Sequence, residues 1–174
     1  MDTNGIGKKM PKPVNDHTFW KERISSASGM IHQSVFRCTP QVWKSIENSH
    51  LNAINLQIKE DDRVLDAACG YGRLAHNFKN YVGVDFSPDF IIEARKLNPS
   101  KEFVQADLKQ LPFEDKTFDW AVCSSIKVMI EENCGVHEWE LMEEELLRVC
   151  NKILVLEYTE AINASNYLGQ VIKY

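Results

Sequence analysis

Residues 63–75 read Arg-Val-Leu-Asp-Ala-Ala-Cys-Gly-Tyr-Gly-Arg-Leu-Ala. Val64 and Leu65 make a buried strand, Asp66 closes it, and a tight turn through Gly70 and Gly72 opens a helix expected over 72–78. A strand, a glycine turn and a helix form a nucleotide site in α/β proteins, because the turn lets a ligand approach the backbone. Two further acids close short apolar runs downstream, Asp85 in Val-Gly-Val-Asp-Phe and Asp107 in Val-Gln-Ala-Asp-Leu. Three acids at the ends of three successive strands define one edge of a parallel sheet. Ligands bind at that edge in such folds.

Outward from this stretch, strands and helices alternate. Strands are expected over 64–66, 81–85, 102–106, 118–124 and 152–156. Ser87-Pro88-Asp89 should cap a helix carrying Phe90, Ile91, Ile92 and Ala94 to about Leu97. The 109–117 stretch reads as a surface loop, and residues 125–135 as a polar loop. Trp139, Met142, Leu146 and Val149 then recur at helical spacing. Such alternation implies right-handed βαβ crossovers and a doubly wound, mostly parallel sheet of the α/β class. Before the first strand, Phe19, Trp20 and Ile24 suggest a short helix. Thr39-Pro40 starts a second, with Val42, Trp43, Ile46, Ala53 and Ile54 on its apolar stripe. Residues 16–58 thus form a helical lid or packing layer over a core at 60–157, in one domain spanning 16–174. Residues 1–15 read as a flexible tail. After Glu157, a short helix over 161–168 and a terminal strand over 171–174 complete the expected elements.

Composition limits the function classes. At 174 residues the chain is one domain, and its net charge is −5, with no basic run beyond Lys8, Lys9 and Lys12. That argues against nucleic acid or an anionic membrane surface as partner, leaving room only for a local basic groove. No apolar run reaches the ~20 residues of a membrane span, and the polar start lacks a secretory core. Cys38, Cys69, Cys123, Cys134 and Cys150 are scattered, with no Cys-x-x-Cys pair. They read as small hydrophobic residues in a reducing cytoplasm, and no metal site is expected.

The residues quoted resemble the class I (Rossmann-like) S-adenosylmethionine (SAM)-dependent methyltransferase family. Residues 64–72 match its glycine-rich motif, Gly83-Val84-Asp85-Phe86-Ser87 the second and Gln105-Ala106-Asp107-Leu108 the third. Leu111-Pro112-Phe113 before Phe118-Asp119, and Leu146-Leu147-Arg148-Val149, are similar to its later elements. The resemblance implies SAM as cofactor and S-adenosyl-L-homocysteine as its product. It also implies roles at single positions. Gly70 and Gly72 give room to the methionine moiety, with Ala68 standing where many members carry a first glycine. Asp66 favours the ammonium end, Asp85 accepts the ribose hydroxyls and Phe86 lies against adenine. Asp107 accepts from the adenine amino group, the Leu108 N–H donates to a ring nitrogen, and Ser124 closes the site at strand four. The third glycine of a dinucleotide motif is absent, Ala75 standing in its place.

Methyl transfer from a sulfonium needs a base only when the acceptor must lose a proton. His137, His32 and Glu157 are the candidates. For each a bland role stands beside it: a solvated histidine, a hydrogen-bonded structural histidine and a solvated carboxylate. Glu143, Glu144 and Glu145 read as a solvated helix face. Trp20 and Phe36 either roof the pocket or pack in the core. The motifs of amino- and cytosine-methylating nucleic-acid enzymes are absent, which leaves a small molecule as the expected acceptor. The short end, where the family adds an antiparallel hairpin, implies a truncated sheet or one completed by a second copy or a partner, and keeps open a non-catalytic SAM-binding subunit; SAM chemistry other than methyl transfer stays open because the cofactor motifs do not specify which bond breaks.

Overall fold

Five strands lie parallel: β1 (Arg63–Ala67), β2 (Asn80–Asp85), β3 (Glu102–Gln105), β4 (Phe118–Ser124) and β5 (Cys150–Leu156). A sixth, β6 (Gln170–Lys173), pairs with β5 antiparallel. The spatial order is β3-β2-β1-β4-β5-β6. The chain therefore winds outward from β1 in one direction and then restarts at β4 on its other side. This reversal opens a crevice at the carboxyl ends of β1 and β4. The computed structural model describes residues 17–25, 40–157 and 170–173. The expected features over 1–15 and 161–168, and at His32, Phe36, Cys38 and Tyr174, lie outside the described residues.

Alternate strand residues feed two cores. Leu65, Ala67, Ala121, Cys123, Ile153 and Val155 face Trp139, Leu146 and Val149 of α5 (Val136–Val149). Val64, Trp120, Val122, Leu154 and Leu156 share the opposite core with Ala53 and Ile54 of α2 (Pro40–Gln57). Ile91 and Ala94 of α3 (Pro88–Leu97) join that second core. Cover on both faces is why the central strands are apolar at nearly every position. α1 (His17–Ser25) carries Trp20 into the first core, its ring 5.7 Å from that of Phe90. Among the described residues, no helix is long and apolar enough to cross a membrane.

Three local expectations need correction. The 72–78 helix is replaced by a turn and a 3-10 segment, Ala75–Asn77. Only residues 68–79 join β1 to β2, and the glycine turn consumes their first half. A crossover of about a dozen residues in all is too short to hold the turn and a full helix. α2, arriving from the N-terminal side, helps cover that face.

The polar loop at 125–135 contains a helix, α4 (Lys127–Cys134). Its N-cap residue Ile126 makes no side-chain cap. Instead, Glu157 Oε1 at the end of β5 accepts from the backbone N–H groups of Lys127 at 2.6 Å and Val128 at 3.4 Å. A cap that comes from another strand leaves no local signal.

The expected solvated run at 143–145 is also broken up. Glu143 accepts from Trp139 Nε1 at 2.6 Å, whereas Glu145 binds the Leu111 N–H at 2.7 Å and Arg148 at 2.7 Å and 2.8 Å. Only Glu144 is exposed. Arg148 also donates to the carbonyls of Leu111 and Phe113, so the helix holds the 109–117 loop in place.

Candidate functional site

A cavity of about 490 Å³ opens at the carboxyl ends of the parallel strands, within the range of small-molecule sites. Asp66, Asp85, Asp107, Ser124 and Glu157 reach it from the ends of, or just beyond, β1 to β5. Ala68, Gly70, Phe86 and Leu108 complete its turn side, and α4 contributes Val128, Met129 and Ile130. Trp20 lines it while remaining 92% buried, so this ring is both core and wall.

Asp85 is buried and orients its surroundings. Its Oδ2 accepts from the Gly70 N–H at 2.9 Å and its Oδ1 from the Ser87 N–H at 2.9 Å. These two bonds fix the orientation of the carboxylate. Asp107 is exposed and accepts from the Lys109 N–H at 2.9 Å, which shapes the bend after β3. Asp66 is 2% exposed and accepts from the Tyr81 hydroxyl at 2.9 Å. Burial lifts its pKa to about 7, overcoming the opposite pull of that hydrogen bond and of the Arg73 charge. Burial likewise raises the pKa of Glu157, whose bonds to the α4 backbone act against the rise.

Ser124 belongs to a cluster with two residues that local sequence reading passes over. Arg73 donates to its Oγ at 2.8 Å, and His50 Nδ1 lies 3.2 Å from the same oxygen. Burial, then the Arg73 charge, depress the His50 pKa to about 3. The neutral ring accepts from Ser124 while Ser124 accepts from Arg73. The signal for His50 was present: Trp43, Ile46, His50, Ala53 and Ile54 share the buried face of α2 at helical spacing. The signal for Arg73 was its long charged side chain inside a turn of small residues.

The turn residues divide by what they face. Ala68, Gly70 and Gly72 have φ values of 57°, 55° and 77°. A Cβ on Gly70 would meet nothing closer than Phe90 at 4.0 Å, so that position leaves open space on the cavity side. A Cβ on Gly72 would come within 2.7 Å of Phe103 Cζ, and Gly72 is not part of the cavity wall. Its glycine serves packing beneath the turn, in contrast to the ligand-side role the sequence suggested. Ala68, at the family's glycine position, adopts a left-handed conformation that costs an L-residue roughly 1 kcal/mol. Ala68→Gly is therefore expected to stabilise the fold by about 0.5–1 kcal/mol. Urea denaturation should show a higher midpoint at unchanged slope; a lower midpoint would contradict the strain.

Of the two candidate bases among the described residues, Glu157 lines the cavity and His137 does not. His137 is 79% exposed in its side chain, pairs with Glu140 at 3.4 Å and stands outside the cavity wall. It lies in the first turn of α5, on the side that faces solvent. His32 lies outside the described residues.

Comparison with known proteins gives a consistent pattern. The profile of a family described as a methyltransferase domain matches residues 64–152. The sterol 24-C-methyltransferase of Schizosaccharomyces pombe is 27% identical over 138 residues, covering 73% of this chain and 35% of that protein. The fatty-acid O-methyltransferase of Mycolicibacterium smegmatis is 39% identical over 83 residues, 43% of this chain and 30% of that one. The matched part thus spans about a third of these curated relatives. Among solved structures, the PH0226 protein of Pyrococcus horikoshii superposes with a TM-score of 0.56 at 29% identity, covering 67% of this chain and 54% of that one.

Proposed function

Because this chain belongs to the class I SAM-dependent methyltransferase family, we propose that it binds SAM along the strand ends and transfers its methyl group to a small-molecule acceptor. The observation that carries the reading is the cavity itself: acids from three adjacent strands line one side of it, beside a glycine whose missing Cβ leaves space. The open side of Gly70 and the inward carboxylates fit the cofactor. Asp85 would hold the ribose, Phe86 an adenine face, and Asp107 with the Leu108 N–H the adenine edge. Asp66 would face the ammonium end, and Ala68 and Ser124 the methionine portion.

When bound, SAM supplies an electrophilic methyl on a sulfonium, so the protein's main task is alignment. Met129, Ile126 and Val128 give the acceptor side an apolar wall, which excludes water from the transfer. Glu157, held by the α4 backbone with its pKa raised, is the group suited to take a proton where the acceptor loses one. The names of the two relatives, a sterol and a fatty-acid enzyme, support a small-molecule acceptor class.

Incubating the protein with methyl-labelled SAM and an extract of its host is expected to label a small molecule. Asp85→Ala should weaken SAM binding by calorimetry more than tenfold, about 1.4 kcal/mol, since two ribose hydroxyls lose their acceptor. Wild-type protein that binds no SAM would overturn the reading, and unchanged affinity in the variant would overturn the Asp85 assignment.

A further inference from the structure

Glu157 is placed to do more than take a proton, because the same carboxylate holds one wall of the cavity. That wall is α4, eight residues long, and of its side chains only Ile130 is buried. Every α4 residue except Lys127 and Glu131 lines the cavity. A helix this short is marginal on its own, so its position depends on tertiary contacts and on what satisfies its ends. Both borders are sharp. Ser125, just before the N-cap residue, has a φ of 59°, and Gly135, just after the helix, one of 99°. The Ser125 N–H donates to the Leu156 carbonyl at 2.7 Å, which ties that border to β5. A Cβ on Gly135 would meet nothing within 4 Å, so its glycine answers to the backbone angle and not to a neighbour.

Between these borders the first N–H groups of α4 find no local acceptor, since Ile126 makes no side-chain cap. Glu157 Oε1 supplies it from β5, at 2.6 Å from the Lys127 nitrogen and 3.4 Å from that of Val128. A carboxylate there is held by its charge as well as by its hydrogen bonds, because the helix dipole favours an anion at the N-terminus. A neutral carboxyl is a much weaker cap. Methyl transfer changes this charge where the acceptor loses a proton. The acceptor atom bonds the methyl, the S–C electron pair stays on sulfur to leave S-adenosyl-L-homocysteine, and the proton of the acceptor passes to a Glu157 oxygen.

Resting on the reading of Glu157 as the proton acceptor, we infer that Glu157 is also a positioning residue: ionised, it latches α4 over the cavity, and protonated, it lets α4 turn about Ser125 and Gly135 so that product leaves. The proton and the cap compete for one group. Burial favours its neutral form, while the bonds from the α4 backbone favour the charged one. Of the titratable groups around it, Glu131 of α4 adds a like charge that favours protonation, and is itself 3.9 Å from Lys127. The Cys123 thiol of β4 is kept neutral by burial.

The test needs no acceptor. Hydrogen exchange on the unliganded full chain compares wild type with Glu157→Gln, which holds the group neutral, and with Gly135→Ala, which strains the latched conformation and leaves the carboxylate in place. Both variants should exchange about tenfold faster over residues 127–134, with β1 and β4 within about twofold of wild type. Stopped-flow binding of S-adenosyl-L-homocysteine then reads the gate. In both variants it should enter and leave about fivefold faster with little change in Kd, whereas loss of a mere binding contact raises the dissociation rate alone. Wild-type exchange over 127–134 in Glu157→Gln, equal acceleration in β1 and β4, or a dissociation rate that rises alone would overturn the latch. Wild-type exchange in Gly135→Ala would overturn the hinge. Failure of wild-type protein to bind S-adenosyl-L-homocysteine would overturn the SAM reading, and the exchange rates would still decide whether Glu157 holds α4.

Discussion

Gly72→Ala is expected to lower folding stability by about 3 kcal/mol, about twice the effect of Gly70→Ala. The two positions share a backbone demand, φ of 77° and 55°, so each substitution carries about 1–2 kcal/mol of conformational strain. They differ in what the new methyl meets. At Gly70 it enters open space, 4.0 Å from Phe90. At Gly72 it falls 2.7 Å from Phe103 Cζ, 2.8 Å from Cε1 and 2.9 Å from Asn98 Nδ2. Phe103 has no direction of retreat. A Cβ on Gly83 would also meet its ring, at 2.7 Å from Cδ1, and Tyr81 packs edge-on at 5.7 Å. The Asn98 amide is held too, since it faces the carbonyls of Tyr71, Gly72 and Ala94. Overpacking of a closed core adds about 1–3 kcal/mol to the strain. Against a typical total of about 5–15 kcal/mol, that is a large fraction. Chemical denaturation of both variants without ligand decides the matter: equal losses would mean that Phe103 yields, and that Gly72 is glycine for its φ alone. Gly70→Ala should instead show its main defect in SAM affinity, because its methyl points into the cavity.

This division of the glycines marks the limit of what the sequence discloses. A Gly-Tyr-Gly turn after a buried strand is readable, because the strand is apolar and the turn needs residues that tolerate positive φ. Which glycine faces the ligand depends on Phe103, thirty-one positions beyond Gly72 and brought beneath it only by the sheet order. The strands were readable for a related reason: β1, β2, β4 and β5 are buried on both faces, so composition alone marks them. α4 was not. Its N-terminus is capped by Glu157 across the crevice, and the same carboxylate that looked like a solvated strand end proves to be partly structural. The acids at the strand ends were found because each closes an apolar run. His50 and Arg73 were missed because each carries its meaning in a contact between distant segments.

The largest effect of pH on folding should come from Asp66 and His50, and the two should oppose each other. Burial raises the Asp66 pKa from 3.8 in the unfolded chain to about 7. Between those values the native state keeps a proton that the unfolded state has lost, so this group makes stability fall as pH rises. Burial lowers the His50 pKa from 6.5 to about 3, so the unfolded chain takes up a proton that the native state refuses. That group makes stability rise with pH over its own interval. Each displacement corresponds to roughly 4 kcal/mol as an upper figure. From about pH 4 to 6.5 the two contributions largely cancel. Asp66→Asn removes one of them while its amide oxygen can still accept from Tyr81. The variant is therefore expected to be more stable than the wild type at pH 8, by about 2–4 kcal/mol, and nearly equal to it close to pH 4. Its own stability should fall on acidification from pH 7 as the His50 contribution is exposed. Urea denaturation of both proteins without SAM at pH 4.5, 6 and 8 measures the difference directly. A difference independent of pH would show that Asp66 is ionised throughout and that burial does not hold its proton. The sign has a consequence for the site as well. An Asp66 carboxylate that destabilises the empty protein above pH 7 gains a compensating charge when an ammonium group binds beside it. SAM should therefore protect the wild type against denaturation more strongly at pH 8 than at pH 6, and should protect Asp66→Asn with little dependence on pH in this range.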